Sequence, residues 1–192
     1  MSVFPFSFKE IVVAMGTQHL ISLNKISALE SRIKDFQRRE FPPGLNTGKG
    51  RAARYEVHHL ILLGIAFQLL EMGMSPDRIC GLLRSTGDTL VEQVKSMCSG
   101  GLFRHRKTLI YFDPAALASL RDADSEGNGD GFSVGTVAEV TQLLSKVELG
   151  TTRLAVIDLR KFLVILITVI AGAKDVTEKE AIAALVNWAK PA

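Results

Sequence analysis

The sequence predicts a mainly α-helical fold with a small β component, an α+β fold. Most apolar residues recur at intervals of three and four, the spacing of one helix face. Two short runs of consecutive apolar residues, each followed by an aspartate and a helical pattern, predict strands. A Ser-Gly-Gly linker at 99–101 and a change in charge predict two domains, because residues 1–104 carry a net charge of +4 and residues 105–192 carry −1.

The first domain is predicted to begin with two helices. "FSFKEIVVAMG" has helical spacing, with Ser7 as the N-terminal cap and Gly16 as the stop. The next helix, Ile26–Phe41, carries one apolar stripe and basic residues on its other faces, and Pro42-Pro43-Gly44 ends it. The stripe consists of Ile26, Leu29, Ile33 and Phe36.

A basic loop and further helices complete this domain. "GLNTGKGRAARY" has three glycines within a basic stretch, which predicts a turn between two short strands, at Leu45 and Ala52–Tyr55. An apolar helix follows from Glu56 to Gly73. A second helix is predicted to start at Ser75 with Pro76 in its first turn, and a separate one to cover residues 86–98.

The second domain is predicted to contain two similar strand–helix units. "LIYFDPAALASL" and "LAVIDLRKFLVIL", 45 residues apart, each give four apolar residues and an aspartate that caps a helix, Asp113 or Asp158. The polar, Gly-rich segment 121–133 predicts a loop between them. A capped amphipathic helix follows at 177–189, with Trp188 packed into the core.

The most basic stretch is Arg32–Tyr55, with seven basic and two acidic residues. One interpretation is a solvated helix face followed by a basic loop; the other is a nucleic-acid surface, because Lys and Arg neutralise phosphates. The order helix, basic helix, Pro-Gly break, basic two-stranded loop, helix, helix is that of a winged helix-turn-helix. This order favours the second interpretation and predicts an N-terminal winged helix-turn-helix domain followed by a small α+β domain.

The segments "FSFKEIVVAMG", "RIKDFQRREFPPG", "GKGRAARYEVHHL" and "LLEMGMSPDRICGLL" resemble the DNA-binding domain of the MerR-type transcription regulators, over residues 6–84. The family's recognition helix carries Ile-Arg-x-Tyr/Trp-Glu, which Ile33, Lys34, Phe36 and Gln37 match here. The resemblance places the wing arginine at Arg51 or Arg54. The turn over residues 17–27 is longer than the family's. Only residues 86–98 are available for the family's long dimerisation helix before Ser99-Gly100-Gly101.

The expected function is that of a sequence-specific regulator that binds double-stranded DNA, with Ile26–Phe41 in the major groove and Leu45–Tyr55 as the wing. A homodimer through residues 105–192 is expected, because their apolar units offer a surface for a second subunit. A partner protein such as RNA polymerase is left open. The residues expected to contact DNA are Lys25, Arg32, Lys34, Arg38, Arg39, Lys49, Arg51 and Arg54.

Other classes of protein are disfavoured by the sequence. No catalytic motif or nucleotide fingerprint is present, so neither an enzyme nor a cofactor is expected. His58, His59 and Cys80 match no zinc spacing. Two cysteines, and an N-terminal segment interrupted by Lys9 and Glu10, favour a cytoplasmic location. The apolar run 162–173 is too short to cross a bilayer and predicts a buried core element.

An alternative function of a different class stays open. The long 17–27 turn and the absence of a predicted dimerisation helix are compatible with a protein-interaction adaptor, which keeps the winged helix as a scaffold and recruits a partner through its C-terminal domain. A C-terminal domain that senses a small molecule is a third possibility. DNA binding should weaken steeply with salt, whereas an apolar protein interface should not.

Overall fold

Seven helices, a short 3-10 helix and three strands are present in the described part of the computed structural model, which covers residues 4–45, 52–100, 108–112, 132–145 and 154–190. The helices are α1 Phe8–Gln18, α2 Ile26–Arg38, α3 Val57–Glu71, α4 Pro76–Ser99, α5 Val137–Ser145, α6 Leu159–Lys174 and α7 Glu178–Trp188, with the 3-10 helix at Leu23–Lys25. The strands are β1 Thr108–Phe112, β2 Ser133–Thr136 and β3 Ala155–Asp158. The predicted α+β class is confirmed.

Helix α1 begins as predicted but continues past Gly16. The Ser7 side chain accepts from the Glu10 N–H, and Glu10 accepts from the Ser7 N–H, which forms a capping box. The prediction that Gly16 ends the helix was wrong. Gly16 lies instead where α2 crosses α1, and a methyl group added to it would be 3.4 Å from Cδ1 of Ile26. Its role is to permit close helix packing.

Helix α2 buries most of its predicted stripe, with Ile26 half-buried, and ends before the prolines. Leu29, Ile33 and Phe36 are buried. The predicted extension to Phe41 was wrong, because Glu40 adopts a left-handed conformation with a φ of 55°. The Glu40 N–H then donates to Gln37 O at 2.9 Å and the Phe41 N–H to Phe36 O at 3.0 Å, a Schellman end. The centres of the Phe36 and Phe41 rings lie 5.5 Å apart, so the two side chains pack together.

Helix α4 replaces the two helices predicted after residue 75. Ser75 caps it as predicted, by accepting from the Arg78 N–H. The helix then continues through Gly81 and Gly87 to Ser99. A break is not needed, since Ile79, Leu83, Leu90, Val94 and Met97 form one buried stripe along its whole length. Packing of this stripe outweighs the low helix propensity of the two glycines.

The C-terminal segment contains an antiparallel sheet of order β2-β1-β3. The second predicted strand–helix unit is confirmed, because β3 leads directly into α6 and the Asp158 side chain accepts from the Lys161 N–H. Asp113, the other predicted cap, lies outside the described residues. The unit β2–α5 was not predicted, and β2 begins at Ser133, where the predicted loop ends.

The two arms of the predicted wing do not pair with each other within the described residues. Tyr55 instead forms an antiparallel bridge with Phe6, with N···O distances of 2.7 and 2.8 Å. The Leu45 N–H donates to Pro42 O in a turn. Residues 46–51, between the arms, lie outside the described part of the chain. Burial of the Tyr55 ring favours pairing with Phe6, which is also buried.

The N-terminal helices and the C-terminal segment share one hydrophobic core. Helix α6 packs against α1 and α7, and α7 packs against α4. Lys174 Nζ donates to Pro5 O at 2.8 Å and to Glu10 Oε1 at 2.9 Å, which ties the end of α6 to the start of α1. The apolar run at 162–173 is therefore a core element, as predicted. Among the described residues, none of the helices combines the length and apolarity that a transmembrane span requires.

Substitutions at two helical glycines should have opposite effects on stability. A methyl group on Gly64 would lie 2.9 Å from Gln18 Nε2 and from two ring atoms of Phe162, whereas one on Gly81 would meet nothing within 4 Å. We expect Gly64→Ala to lower the free energy of unfolding by about 1–3 kcal/mol. Gly81→Ala should raise it by about 0.5–1 kcal/mol through helix propensity. Urea unfolding of both variants measures this; equal changes would contradict the close α3–α6 packing.

Candidate functional site

The basic residues of α2 lie on two different faces. Ser27, Ser31, Lys34 and Arg38 are spaced at four, three and four residues, are all exposed, and form what we call the outer face. Arg32 and Arg39 are seven residues apart and lie on a second face, toward α3 and α4. The predicted DNA-contacting residues of α2 therefore fall into two groups, with Lys34 and Arg38 on the outer face and Arg32 and Arg39 on the second face.

The cations of the outer face make only weak pairs. Lys34 Nζ lies 3.8 Å from Glu30 and 5.5 Å from the centre of the Phe8 ring, with its side chain 58% exposed. Arg38 lies 3.3 Å from Asp35, with its side chain 75% exposed. Surface pairs of this kind contribute little to stability, so both cations are available to an external anion. Ser31, Lys34, Gln37 and Arg38 line an open depression on this face.

Arg39 has a different environment. Its guanidinium donates to Asp35 at 3.1 Å and pairs with Asp77 in the first turn of α4, and Arg84 of α4 donates to its carbonyl oxygen. The hydrogen bond that Arg39 donates to Asp35 is the main cause of the raised pKa of Arg39. This predicted DNA-contacting residue is occupied within the chain, where it joins α2 to α4.

The other predicted site residues are not brought together with the outer face. Arg32 and Lys25 border a cavity between α2, the α1–α2 turn and the end of α3, and neither pairs with a described residue. Arg54 is exposed, next to buried Tyr55. Lys49 and Arg51 lie outside the described residues.

Tyr55 connects Arg54 to α2. Its ring is buried, and Gln37 of α2 donates a hydrogen bond to its hydroxyl at 2.5 Å. Burial raises the pKa of Tyr55 to about 12, so the hydroxyl remains protonated near neutral pH. The contact places Arg54 close to the C-terminal end of α2. Tyr55 was not recognised as an anchor from the sequence, although a lone aromatic residue directly after a basic loop was a signal.

The turn between α1 and α2 exposes two leucines that the sequence did not single out. Leu20 is 91% exposed and adopts a φ of 52°, and Leu23 is 90% exposed. A left-handed conformation costs a residue other than glycine about 1–2 kcal/mol. Leu20 gains no burial in return, so its position is a feature of a surface rather than of the core.

The histidines and cysteines have structural environments. His59 Nδ1 accepts from the Glu56 N–H at 3.0 Å, and His59 Nε2 donates to Pro43 O at 3.1 Å. Both ring nitrogens are therefore occupied by the backbone. Burial lowers the pKa of His59 to about 4. Cys80 and Cys98 are buried, and burial raises the pKa of the Cys98 thiol to about 11.

Comparisons with known proteins give no relative for this chain: no family model, curated protein or solved structure matches it significantly.

Proposed function

We propose that this chain is a sequence-specific regulator of transcription that binds double-stranded DNA through α2. The observation that supports this most is the outer face, where Ser27, Ser31, Lys34 and Arg38 project together from an exposed helix whose opposite side is buried. A major groove is wide enough to admit an α-helix. Two short hydroxyl side chains followed by two long cationic ones suit close approach to base edges at one end of the face and to phosphates at the other.

The proposal gives different roles to the basic residues. Lys34 and Arg38 contact base edges or flanking phosphates. Ser27 donates a hydrogen bond in the groove, whereas Ser31, whose hydroxyl donates to the Ser27 carbonyl oxygen at 2.9 Å, accepts one there. Arg54, held near α2 by Tyr55, contacts the adjacent DNA backbone. As wing residues, Lys49 and Arg51 are assigned to phosphates of the same DNA strand. Arg39 positions α2 against α4 rather than touching DNA.

We further propose that the protein binds as a homodimer through residues 105–192. Most of the apolar surface of α6 is covered by α1 and α7 of the same chain, so a second subunit would contact only the part of this segment that stays exposed. Apolar side chains that stay exposed on this segment support the proposal, since two subunits on paired half-sites multiply the base contacts. They are Val137, Leu144, Val156, Val164 and Ile165.

An adaptor that recruits a partner protein is the second candidate. The exposed Leu20 and Leu23 favour it, since apolar side chains in a turn suit a protein interface. The dependence of binding on salt distinguishes the candidates. A partner held by these leucines should bind almost equally at low and high salt, whereas DNA should be released.

Removing the two cations of the outer face should weaken DNA binding. We expect Lys34→Gln and Arg38→Gln each to cost about 1 kcal/mol at low salt, or about fivefold in Kd, because each loses a charged contact. The measurement is fluorescence anisotropy with duplexes selected by the wild-type protein from a randomised pool, at several salt concentrations. The slope of log K against log salt should become shallower by about one per lost phosphate contact.

The matched control is Lys161→Gln with Lys179→Gln, which removes the same charge from exposed positions on α6 and α7. This variant should bind DNA like the wild type. If it weakens binding as much as the α2 variants do, the outer face is not the DNA contact. A randomised pool in which no sequence is enriched would refute sequence-specific binding.

A further inference from the structure

A cavity of about 330 Å³ lies beneath the α1–α2 turn, between α2 and the C-terminal end of α3. Leu29, Phe67 and Leu70 form apolar parts of its lining, and Lys25 and Arg32 contribute two cations. Its volume falls within the range of cavities that hold small molecules. An apolar lining with a few polar groups is the usual composition of such a site.

His19 contributes a buried polar atom that has no partner. The His19 side chain is 1% exposed and lines the cavity, with its ring 5.4 Å from that of Phe67. Its Nδ1 lies 2.7 Å from a carboxylate oxygen of Glu71, whereas its Nε2 is buried without a hydrogen bond from any described residue. A buried polar atom left unpaired is destabilising, and a ligand that pairs with it offsets this cost.

The hydrogen bond to Glu71 determines what Nε2 requires. A carboxylate only accepts, so the Nδ1–H donates to Glu71, and Nε2 of the neutral ring is then an acceptor. The complementary ligand group is a hydroxyl or an N–H. Lys25 and Arg32 have no ion pair with a described residue, so they are free to bind an anion that reaches the cavity. An arginine fork suits a carboxylate in particular.

We propose that this cavity binds a small hydroxylated aromatic carboxylate. The aromatic ring packs on Phe67, Leu29 and Leu70, the carboxylate pairs with Arg32 and Lys25, and the hydroxyl donates to His19 Nε2. Each of the three chemical features of the ligand is thus matched by a separate feature of the lining. The binding itself does not depend on the proposed DNA-binding function.

Binding at this site should also affect the outer face of α2. Arg32 belongs to the same helix as Lys34 and Arg38, so an acid bound to Arg32 adds negative charge beside the proposed DNA contact. This consequence rests on the proposed function. By linkage, any factor by which the acid weakens DNA binding is the factor by which DNA weakens acid binding.

Isothermal titration calorimetry of the full chain with the three hydroxybenzoate isomers tests the site, with the corresponding hydroxybenzamides as neutral controls. We expect at least one isomer to bind with a Kd below about 1 mM and its amide to bind at least about tenfold more weakly. Arg32→Gln should weaken binding of that isomer about tenfold, whereas Arg38→Gln, which removes another exposed arginine of α2 that does not line the cavity, should not. His19→Phe should remove the preference for the hydroxylated acid over benzoate.

Two results would overturn the proposed site: no isomer binding below about 1 mM, or an Arg32→Gln protein that binds as tightly as the wild type. A second titration, of selected DNA in the presence of the acid that binds, tests the coupling. An unchanged DNA affinity would overturn the coupling and leave the site standing. Failure of the proposed function is seen separately, as the lack of DNA binding without any acid.

Discussion

Phe162→Ala is expected to lower the free energy of unfolding by about 3–5 kcal/mol and to destabilise both halves of the chain together. Phe162 lies near the start of α6 and is only 4% exposed, because its ring packs over Gly64 of α3. Gln18 of α1 also lies at this point, so three helices from distant parts of the sequence meet there. Truncating the ring leaves a cavity that none of the three helices can fill alone.

Hydrogen exchange measures whether the two halves respond together. In the wild-type protein and in Phe162→Ala, amides of α3 and α6 should exchange with the same free energy of opening if they form one cooperative unit. Trp188 fluorescence and far-UV circular dichroism should also give the same urea midpoint. The control Val164→Ala, on the exposed side of α6, should change stability by no more than about 0.5 kcal/mol. Unaltered protection of α3 in Phe162→Ala would show that residues 1–104 are stable independently.

The second large expected effect is a loss of stability in acid that depends on His59. His59 is 3% exposed, and its pKa falls to about 4 mainly through burial, against about 6.5 in an unfolded chain. Between these values the unfolded chain binds a proton and the folded chain does not. Stability is therefore complete above about pH 6.5 and declines as the pH falls toward 4, with a total loss of about 3 kcal/mol. Protonation would also remove the hydrogen bond that Nδ1 accepts from the Glu56 N–H.

His59→Gln isolates this contribution. A glutamine can accept and donate hydrogen bonds like the neutral ring but does not titrate. We expect the variant to show a much smaller loss of stability between pH 6.5 and 4.5, measured by urea unfolding at several pH values. His58, whose ring lies 3.9 Å away and whose pKa burial also lowers, should leave a residual slope of the same sign. A pH dependence identical to that of the wild type would refute the role of His59.

Carboxylates affect the stability of the fold in a lower range of pH than the histidines do. Glu10, Glu139 and Glu180 have lowered pKa values; for Glu139 and Glu180 the main cause is a hydrogen bond from a backbone N–H at a helix start. At Glu10, burial opposes the hydrogen bonds from Ser7 and Lys174, which prevail. A lowered carboxylate pKa gives stability that is present above about 4.5 and lost below it. Acid sensitivity above this pH can thus be assigned to the histidines.

Local features of the fold could be predicted from the sequence. The caps at Ser7, Ser75 and Asp158 and the buried stripe of α2 depend on residues three or four positions apart, so the pattern contains the whole interaction. Glycines were less informative, since their meaning depends on what packs against them. Gly16 permits a helix crossing and Gly81 lies inside a continuous helix, yet each has the same local signal as a helix end.

The division of the site between two helix faces could be predicted only in part. The spacing shows that Arg32 and Arg39 share a face, but not that Asp77 lies opposite Arg39 while Arg32 borders a cavity. Those facts depend on the positions of α3 and α4, which follow from packing across the whole chain. The buried Nε2 of His19 has the same origin, because no sequence pattern marks a histidine enclosed by a turn and a distant helix.

The bond between Lys174 and Glu10 spans 164 residues of sequence and has a consequence for how the protein is made. During synthesis α1 leaves the ribosome long before α6, the helix that covers it. The part of its apolar side that packs on α6 therefore stays uncovered until about residue 174 has been translated. A nascent chain arrested earlier would present this surface to chaperones and proteases, so an incomplete product should be degraded before it could compete for the binding sites of the finished protein.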